Sequence, residues 1–290
     1  YKAAAAGLNL GGGKTVLIGD ANKVKSEEYF RAFGRYVQSL NGRYITAEDV
    51  NTTTQDMEYV SIETDYVVGL EGKSGNPSPK TALGVFYGIK AALQYVFGDD
   101  DISKYTFAVQ GAGQTGYYLI KYLLEAKAKK IYLSEINENH IKRMQEEHPE
   151  VELVGVNDIY SLDVDVFSPC ALGGSLNDET IPQIKAKIVA GSANNALFDE
   201  EKHGMMLRER GILYAPDFVI NAGGLINVAH ELKGYNEEDA IKDIKKIYDR
   251  LLEIFKMADE NNISTQQAAK LFAKNRIEKI GRIRSNYIPK

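Results

Sequence analysis

The run TFAVQ at 106–110 passes directly into GAGQTG at 111–116 and then into YYLIKYLLEA. That order, strand then GxGxxG then helix, constrains the fold more than any other feature of the chain. Gly111 permits the tight turn, Gly113 lets the backbone approach a pyrophosphate, and Gly116 lets helix and strand pack closely. The helix N-terminus offers free N–H groups and a positive dipole end to phosphates. A lone GxGxxG is weak, because glycine-rich turns are common. Here the next β-type run ends at Glu135, 24 residues after Gly111, close to the ~20 of the dinucleotide fingerprint. A carboxylate there accepts ribose hydroxyls and repels a 2′-phosphate, which favours NAD over NADP. The competing reading, a tight turn with a surface Glu, is outweighed by the number of coinciding parts. The expected cofactor contacts are Gly111, Ala112, Gly113, Gln114, Thr115, Gly116, Glu135 and Ile136.

Other β-type runs bounded by turn residues occur at 15–19 (TVLIG), 43–46 (RYIT), 131–135, 151–155, 164–168, 187–191 and 211–215. Helical patterns lie between them. In 26–40, Tyr29, Phe33, Tyr36 and Val37 fall at helical spacing, and Ser26 is placed to open the first turn. Alternating strands and helices predict an α/β fold with a mostly parallel sheet. GLEGKSGNPSP at 69–79 can sustain neither a ladder nor a helix and reads as a linker. The end of the chain, from about Asn236, is almost all helix, and the last helix is long enough to cross back onto the N-terminal part.

Length and composition fit this picture. A chain of 290 residues suggests two domains. With 44% hydrophobic and 26% charged residues it is neither a disordered acidic chain nor a membrane protein. A net charge of -5 argues against a nucleic-acid surface. The single cysteine, Cys170, excludes an intrachain disulfide or a Cys-rich metal site, and four scattered histidines argue against a zinc site. No signal peptide precedes the first apolar segment, and a cytoplasmic location is expected.

Two lysines stand out near the start, Lys2 and Lys14. GGGKT at 11–15 resembles a phosphate loop, but the pattern requires glycine where Leu8 stands, and Lys14 leads into a β-type run rather than a helix. The alternative is a lysine held by a glycine loop in a cleft, where partial desolvation lowers its pKa. For Lys2 alone the commoner reading is a solvated lysine. Asp49, just beyond RYIT, reads from composition as an N-cap for the next element. Cys170 reads as a small apolar filler, and His230 as a helix-face histidine.

Longer stretches carry a resemblance. YKAAAAGLNLGGGK, GDANKVKSEEYFRAFGRYVQSLNGRYITAEDV, SGNPSPKTALGVF, SPCALGG, AGSANNAL and YAPDFVINAGGLINVAHEL resemble the Glu/Leu/Phe/Val amino-acid dehydrogenase family, above all its leucine-oxidising branch. The resemblance covers essentially the whole chain. It implies NAD-dependent oxidative deamination of an apolar, branched-chain L-amino acid to the 2-oxo acid and ammonia. It also implies a Rossmann-type NAD-binding domain at 71–263 and an N-terminal α/β catalytic domain at 1–70, joined by the C-terminal helix at about 264–290, with a cleft between the two domains. Family members carry a further N-terminal segment of several tens of residues, so the catalytic domain is expected to be truncated at Tyr1. They assemble as homo-oligomers and require no metal.

By the same resemblance, Lys2 holds the substrate carboxylate, Lys14 is the catalytic lysine and Asp49 shuttles the proton. Thr81, Ala193, Asn194, Asn195 and Asn221 serve the cofactor, with Asn195 also touching substrate. Ala47, Leu225 and Val228 line the side-chain pocket. The family usually has Thr where this chain has Val68, Val where it has Leu225, and Asp where it has Glu135. The competing functions are a phenylalanine or valine dehydrogenase, and a non-catalytic NAD-binding subunit, which would have no need of Lys2, Lys14 and Asp49 together.

Overall fold

The computed structural model describes residues 1–49 and 51–283. Helices α1 (Lys2–Ala5) and α2 (Ala21–Val24) are single turns. Helix α3 (Glu27–Ser39) starts as the sequence suggests, with the Ser26 hydroxyl accepting the Tyr29 N–H at 3.2 Å. Its buried face is Phe30, Gly34 and Val37, whereas Tyr36 is 75% exposed. Of the four residues at helical spacing, Val37 is buried and Tyr29 and Phe33 pack against the small core, so only Tyr36 falls outside the packing face. A Cβ on Gly34 would lie 2.8 Å from the Val60 carbonyl, so the missing side chain draws that face against α4 (Thr54–Ser61). Strand β1 (Thr46–Ala47) pairs in parallel with β2 (Val67–Val68), a strand the sequence reading had missed. Phe30, Met57, Val60, Val67 and Leu70 form a small core around them.

The β-type run at 15–19 is not a strand. Val16 is 75% exposed and Ile18 92%, while Thr15 and Leu17 are half-buried. The alternation suits a strand, but among the described residues no ladder partner lies beside it, and β propensity acts only through such partners. The run at 43–46 shortens to the start of β1.

After residues 69–77 the chain enters α5 (Ser78–Phe97), which ends where Gly98 turns left-handed at φ 74°. Then follow β3 (Thr106–Gln110), α6 (Gln114–Glu125), β4 (Lys130–Ser134), α7 (Glu138–Glu147), β5 (Glu152–Leu153), β6 (Val166–Pro169), β7 (Ile188–Val189), α8 (Glu200–Glu209) and β8 (Leu213–Tyr214). These six strands form one parallel sheet in the order β5-β4-β3-β6-β7-β8. Alternate residues serve opposite faces. Phe107, Val109, Leu133 and Ile188 join one core, Ala108, Phe167 and Val189 the other. The strand order reverses between β3 and β6, and in a doubly wound sheet the ligand crevice opens there, beyond the carboxyl ends of the strands.

Helices α9 (Asp217–Ile220), α10 (Gly223–Ala229), α11 (Glu237–Lys245), α12 (Ile247–Asn261) and α13 (Thr265–Gly281) complete the chain. The last begins with a capping box of Ser264 and Gln267. It packs against α1, and Arg276 donates to the Gly7 carbonyl at 2.9 Å and to Asn9 Oδ1 at 2.7 Å. Residues 284–290 of the expected final helix lie outside the described residues.

Candidate active site

The loop after β3 meets each demand of the dinucleotide pattern for a separate steric reason. Gly111 has φ +95°, a conformation L side chains rarely adopt. A Cβ on Gly116 would lie 2.0 Å from the Gly111 carbonyl oxygen, so only glycine lets α6 close onto the loop. A Cβ on Gly113 would meet nothing within 4 Å, which leaves open space above the loop. Helix α6 begins at Gly113 with no side-chain cap, so its first N–H groups face that space. These features fit a pyrophosphate. Glu135 accepts from the Ala112 N–H at 2.7 Å, the Ile136 N–H at 2.7 Å and the Asn137 N–H at 2.9 Å, with His140 Nδ1 at 3.3 Å. Burial pushes its carboxyl up, but these bonds outweigh burial and hold it below the ordinary carboxylate range. Beside the loop, Asn76 donates to Gln114 Oε1 at 3.3 Å. Cys170 packs under Gly116, and burial pushes its thiol up, in keeping with a filler.

The segment after β7 forms a second wall. Asn221 Nδ2 donates to the Asn194 side-chain oxygen at 2.8 Å and to the Ser192 carbonyl at 3.0 Å. The same Asn194 oxygen accepts from Lys2 Nζ at 3.4 Å, so the first turn of the chain meets the sheet's carboxyl edge. Ala193 is buried, with its N–H on the Pro169 carbonyl at 3.0 Å. Asn195 sits in the left-handed region at φ 51°. Asp217, a residue sequence reasoning passed over, supports this turn. It is 6% exposed and accepts from the Ala196 N–H at 3.3 Å and the Phe218 N–H at 2.7 Å. Burial raises its carboxyl against those bonds and against the pull of Lys2. Burial likewise lowers the Lys2 ammonium; Asp217 opposes the shift and Lys14 adds to it. The sequence signal for Asp217 was a lone acid inside the apolar run YAPDFVI.

Lys14 pairs with the Asp49 carboxylate. The two side chains are 65% and 54% exposed, so the desolvated lysine of this site is Lys2 and not, as expected, Lys14. The N-cap reading of Asp49 also fails, because α4 takes its cap from Thr53. Of Gly11, Gly12 and Gly13, only Gly13 makes a close approach, where a Cβ would lie 2.8 Å from the Tyr44 ring.

Helix α10 is pressed onto the start of α5. A Cβ on Gly223 would meet the Lys80 carbonyl at 2.0 Å, and one on Gly224 the Thr81 hydroxyl at 2.4 Å. The Thr81 hydroxyl itself donates to the Pro77 carbonyl at 3.0 Å. On α10, Leu225 is half-buried and Val228 is buried; Ala47, half-buried in β1, lies two residues before Asp49. Val68, in β2, is buried.

Comparison with known proteins settles what this arrangement belongs to. Residues 1–66 match the family described as Glu/Leu/Phe/Val dehydrogenase, dimerisation domain, and residues 130–285 match Glutamate/Leucine/Phenylalanine/Valine dehydrogenase. The chain belongs to the Glu/Leu/Phe/Val dehydrogenase family. It is an amino-acid dehydrogenase that works with a nicotinamide dinucleotide. It is 54% identical over 291 residues to leucine dehydrogenase of Geobacillus stearothermophilus, covering 99% of this chain and 78% of that protein. It is 43% identical over 296 residues to phenylalanine dehydrogenase of Caldalkalibacillus thermarum, covering 100% of this chain and 80% of that protein. The crystal structure of L-tryptophan dehydrogenase from Nostoc punctiforme superposes with a TM-score of 0.83 at 45% identity, over 97% of this chain and 81% of that one.

Proposed function

We propose that this dehydrogenase oxidises a branched-chain L-amino acid, leucine foremost, with NAD, and that the reaction is reversible. The observation that carries the reading is the Lys2–Asn194 contact, which brings a substrate-binding cation to the edge of the dinucleotide crevice. Residues 1–70, with α13 packed on α1, form the catalytic domain, and residues 71–263 form the NAD-binding domain. Gly111 to Gly116 hold the pyrophosphate on the N-terminus of α6. Glu135 and Ile136 border the adenosine ribose, and Thr81, Ala193, Asn194, Asn195 and Asn221 flank the nicotinamide. Bound there, NAD supplies the acceptor for the hydride on the amino acid's α-carbon.

Every other step falls to side chains. Lys2 binds the substrate carboxylate as an ammonium. Lys14 activates a water for attack on the imine carbon and then stabilises the resulting hydroxyl oxygen. Asp49, paired with Lys14, takes and returns the proton of the departing amine. Ala47, Leu225 and Val228 give the substrate side chain an apolar wall, which suits leucine and excludes glutamate. The exposed Val16, Ile18 and Tyr36 of the region matching the dimerisation domain suit a homo-oligomer. A single free cysteine suits the reducing cytoplasm.

The test is NADH formation with leucine, valine, phenylalanine and glutamate, each also run with NADP. Leucine with NAD should give the highest kcat/KM, and phenylalanine ahead of leucine would overturn the substrate assignment. Because a 2′-phosphate would face the Glu135 carboxylate, Glu135→Ser should narrow the NAD preference. Equal use of both cofactors by the unsubstituted protein would refute that role.

A further inference from the structure

Residues 69–77 carry the chain from β2 to α5, and they are fastened by one side chain from far along the sequence. Glu231 lies in the short 3-10 turn that continues α10. Its Oε1 accepts the Gly69 N–H at 2.9 Å, the Ser74 N–H at 3.1 Å and the Ser74 hydroxyl. Four residues earlier, Asn227 is fully buried and donates Nδ2 to the Ser74 carbonyl at 3.2 Å. The Tyr235 hydroxyl holds Asn227 in place by donating to its Oδ1 at 2.9 Å. Every backbone polar group of Ser74, and its hydroxyl, therefore ends on the unit that carries Leu225 and Val228.

The connection runs on toward Asp49. Gly69 has φ +86°, and a Cβ there would sit 4.0 Å from both the Glu48 N and the Gly75 carbonyl oxygen. The residue clamped by Glu231 thus lies near the backbone just before Asp49, with room for no more than a methyl group between them. It also directly follows β2, which pairs Val68 with Ala47 of β1. One hydrogen bond and one strand pair separate the α10 unit from the carboxylate that holds Lys14.

We propose that Glu231 is a positioning residue: by clamping Gly69 and Ser74 to the α10 unit it sets where the Lys14–Asp49 pair stands relative to that unit. The inference rests on the reading that Lys14 and Asp49 do the acid–base work. A substrate side chain pressing on α10 would move the clamp, and the clamp would move β2 and β1. Turnover would then depend on Glu231 although the residue touches neither substrate nor cofactor.

Three measurements on the full-length gene product decide it. Hydrogen exchange of the peptide 66–77 reads the clamp, steady-state oxidation of leucine reads the placement, and NADH fluorescence reads the dinucleotide side. In Glu231→Ala, exchange of that peptide should speed up about tenfold and kcat should fall about tenfold, as for loss of charge-assisted hydrogen bonds, with the Kd for NADH within about twofold. Glu231→Gln keeps the acceptor and should restore most of both. Ser74→Ala removes one donor only and should give about threefold effects, which keeps the test alive should Glu231→Ala fail to fold. Unchanged exchange in the variants would show that there is no clamp. Faster exchange with unchanged kcat would show that the clamp positions nothing. A rise in the NADH Kd matching the loss of kcat would place the effect on the dinucleotide side and overturn the proposal. An unsubstituted protein that oxidises no amino acid would overturn the dehydrogenase reading and the positioning role together; an active one with an unaffected Glu231→Ala overturns the positioning role alone.

Discussion

The glycine loops at 11–13 and 111–116 look alike on paper and are built for different reasons. In the second, two glycines are favoured on steric grounds: Gly111 by its left-handed backbone, Gly116 by a carbonyl 2.0 Å from where a Cβ would stand. In the first, Gly11 and Gly12 would each meet nothing within 4 Å, and only Gly13 closes on a neighbour, Tyr44. The loop at 111–116 is thus fixed by its own backbone and by Glu135, which accepts three backbone N–H groups. The lysine loop leaves the Lys14 side chain largely in solvent, paired with Asp49. Binding groups that must approach a backbone are locked in place. The proposed acid–base pair, Lys14 and Asp49, is left open to water.

The largest expected effect breaks the open loop at its charge. Lys14→Ala removes the cation paired with Asp49 and, if that pair does the proposed acid–base work, should lower kcat by about 10²–10⁴, the usual worth of general acid–base catalysis. The Kd for NADH should hardly change, because the dinucleotide loop draws nothing from residues 11–14. Near-normal turnover in this variant would remove Lys14 from the mechanism.

Next come the glycines themselves. Gly116→Ala forces a methyl into the Gly111 carbonyl and should cost roughly 1–3 kcal/mol of stability and weaken NADH binding. Gly12→Ala meets open space and should be neutral or stabilise by a few tenths of a kcal/mol, about the value of a compatible Gly→Ala change. Thermal unfolding of both variants checks the pair, and similar losses in the two would mean that the two loops are equally crowded.

A smaller effect separates the two lysines by pH. Burial lowers the Lys2 ammonium from its ordinary value of 10.5, with Lys14 pushing the same way. Binding of the substrate carboxylate needs the charged form, present below that lowered pKa and lost as pH rises through it. The KM for leucine should therefore climb on the alkaline side, earlier than for a solvated lysine. Lys2→Arg stays charged throughout and should flatten the climb. An identical pH profile of KM in the variant would mean that Lys2 does not hold the carboxylate.

What the sequence made legible follows the same division. The doubly wound sheet could be read because its central strands are long apolar runs with turn residues at both ends, and the fingerprint because each of its residues has a local task. The N-terminal region resisted. β2 is two valines between Asp65 and Gly69, too short to show a period, and residues 15–19 carry strand letters without a ladder partner. On α3, the buried face was decided by Gly34 meeting Val60, a contact no helical period reports. In the site, the Lys2–Asn194 bond spans 192 residues, and nothing in the spacing announces it. Asp217 and Glu231 escaped for a related reason: each accepts a backbone N–H, Ala196 and Gly69 respectively, that only the fold brings near.

The smallest effect asks whether the two regions share one pocket. Leu225 and Val228 come from α10, beyond the sheet, and Ala47 from β1, two residues before Asp49. If all three line the substrate side chain, enlarging one wall should offset shrinking the other. Leu225→Ala should shift preference toward bulkier amino acids, and Ala47→Val toward smaller ones, each by about 1–3 kcal/mol in the ratio of kcat/KM values. Residues that touch a common group couple by about 0.5–3 kcal/mol, whereas separate sites add within about 0.5. Because the two shifts oppose each other, their simple sum already leaves leucine, valine and phenylalanine near the unsubstituted ranking, and a shared wall should move the double variant away from that sum by about 0.5–3 kcal/mol. Strict additivity would mean that β1 and α10 act on the substrate independently, and that the apolar wall belongs to one region alone.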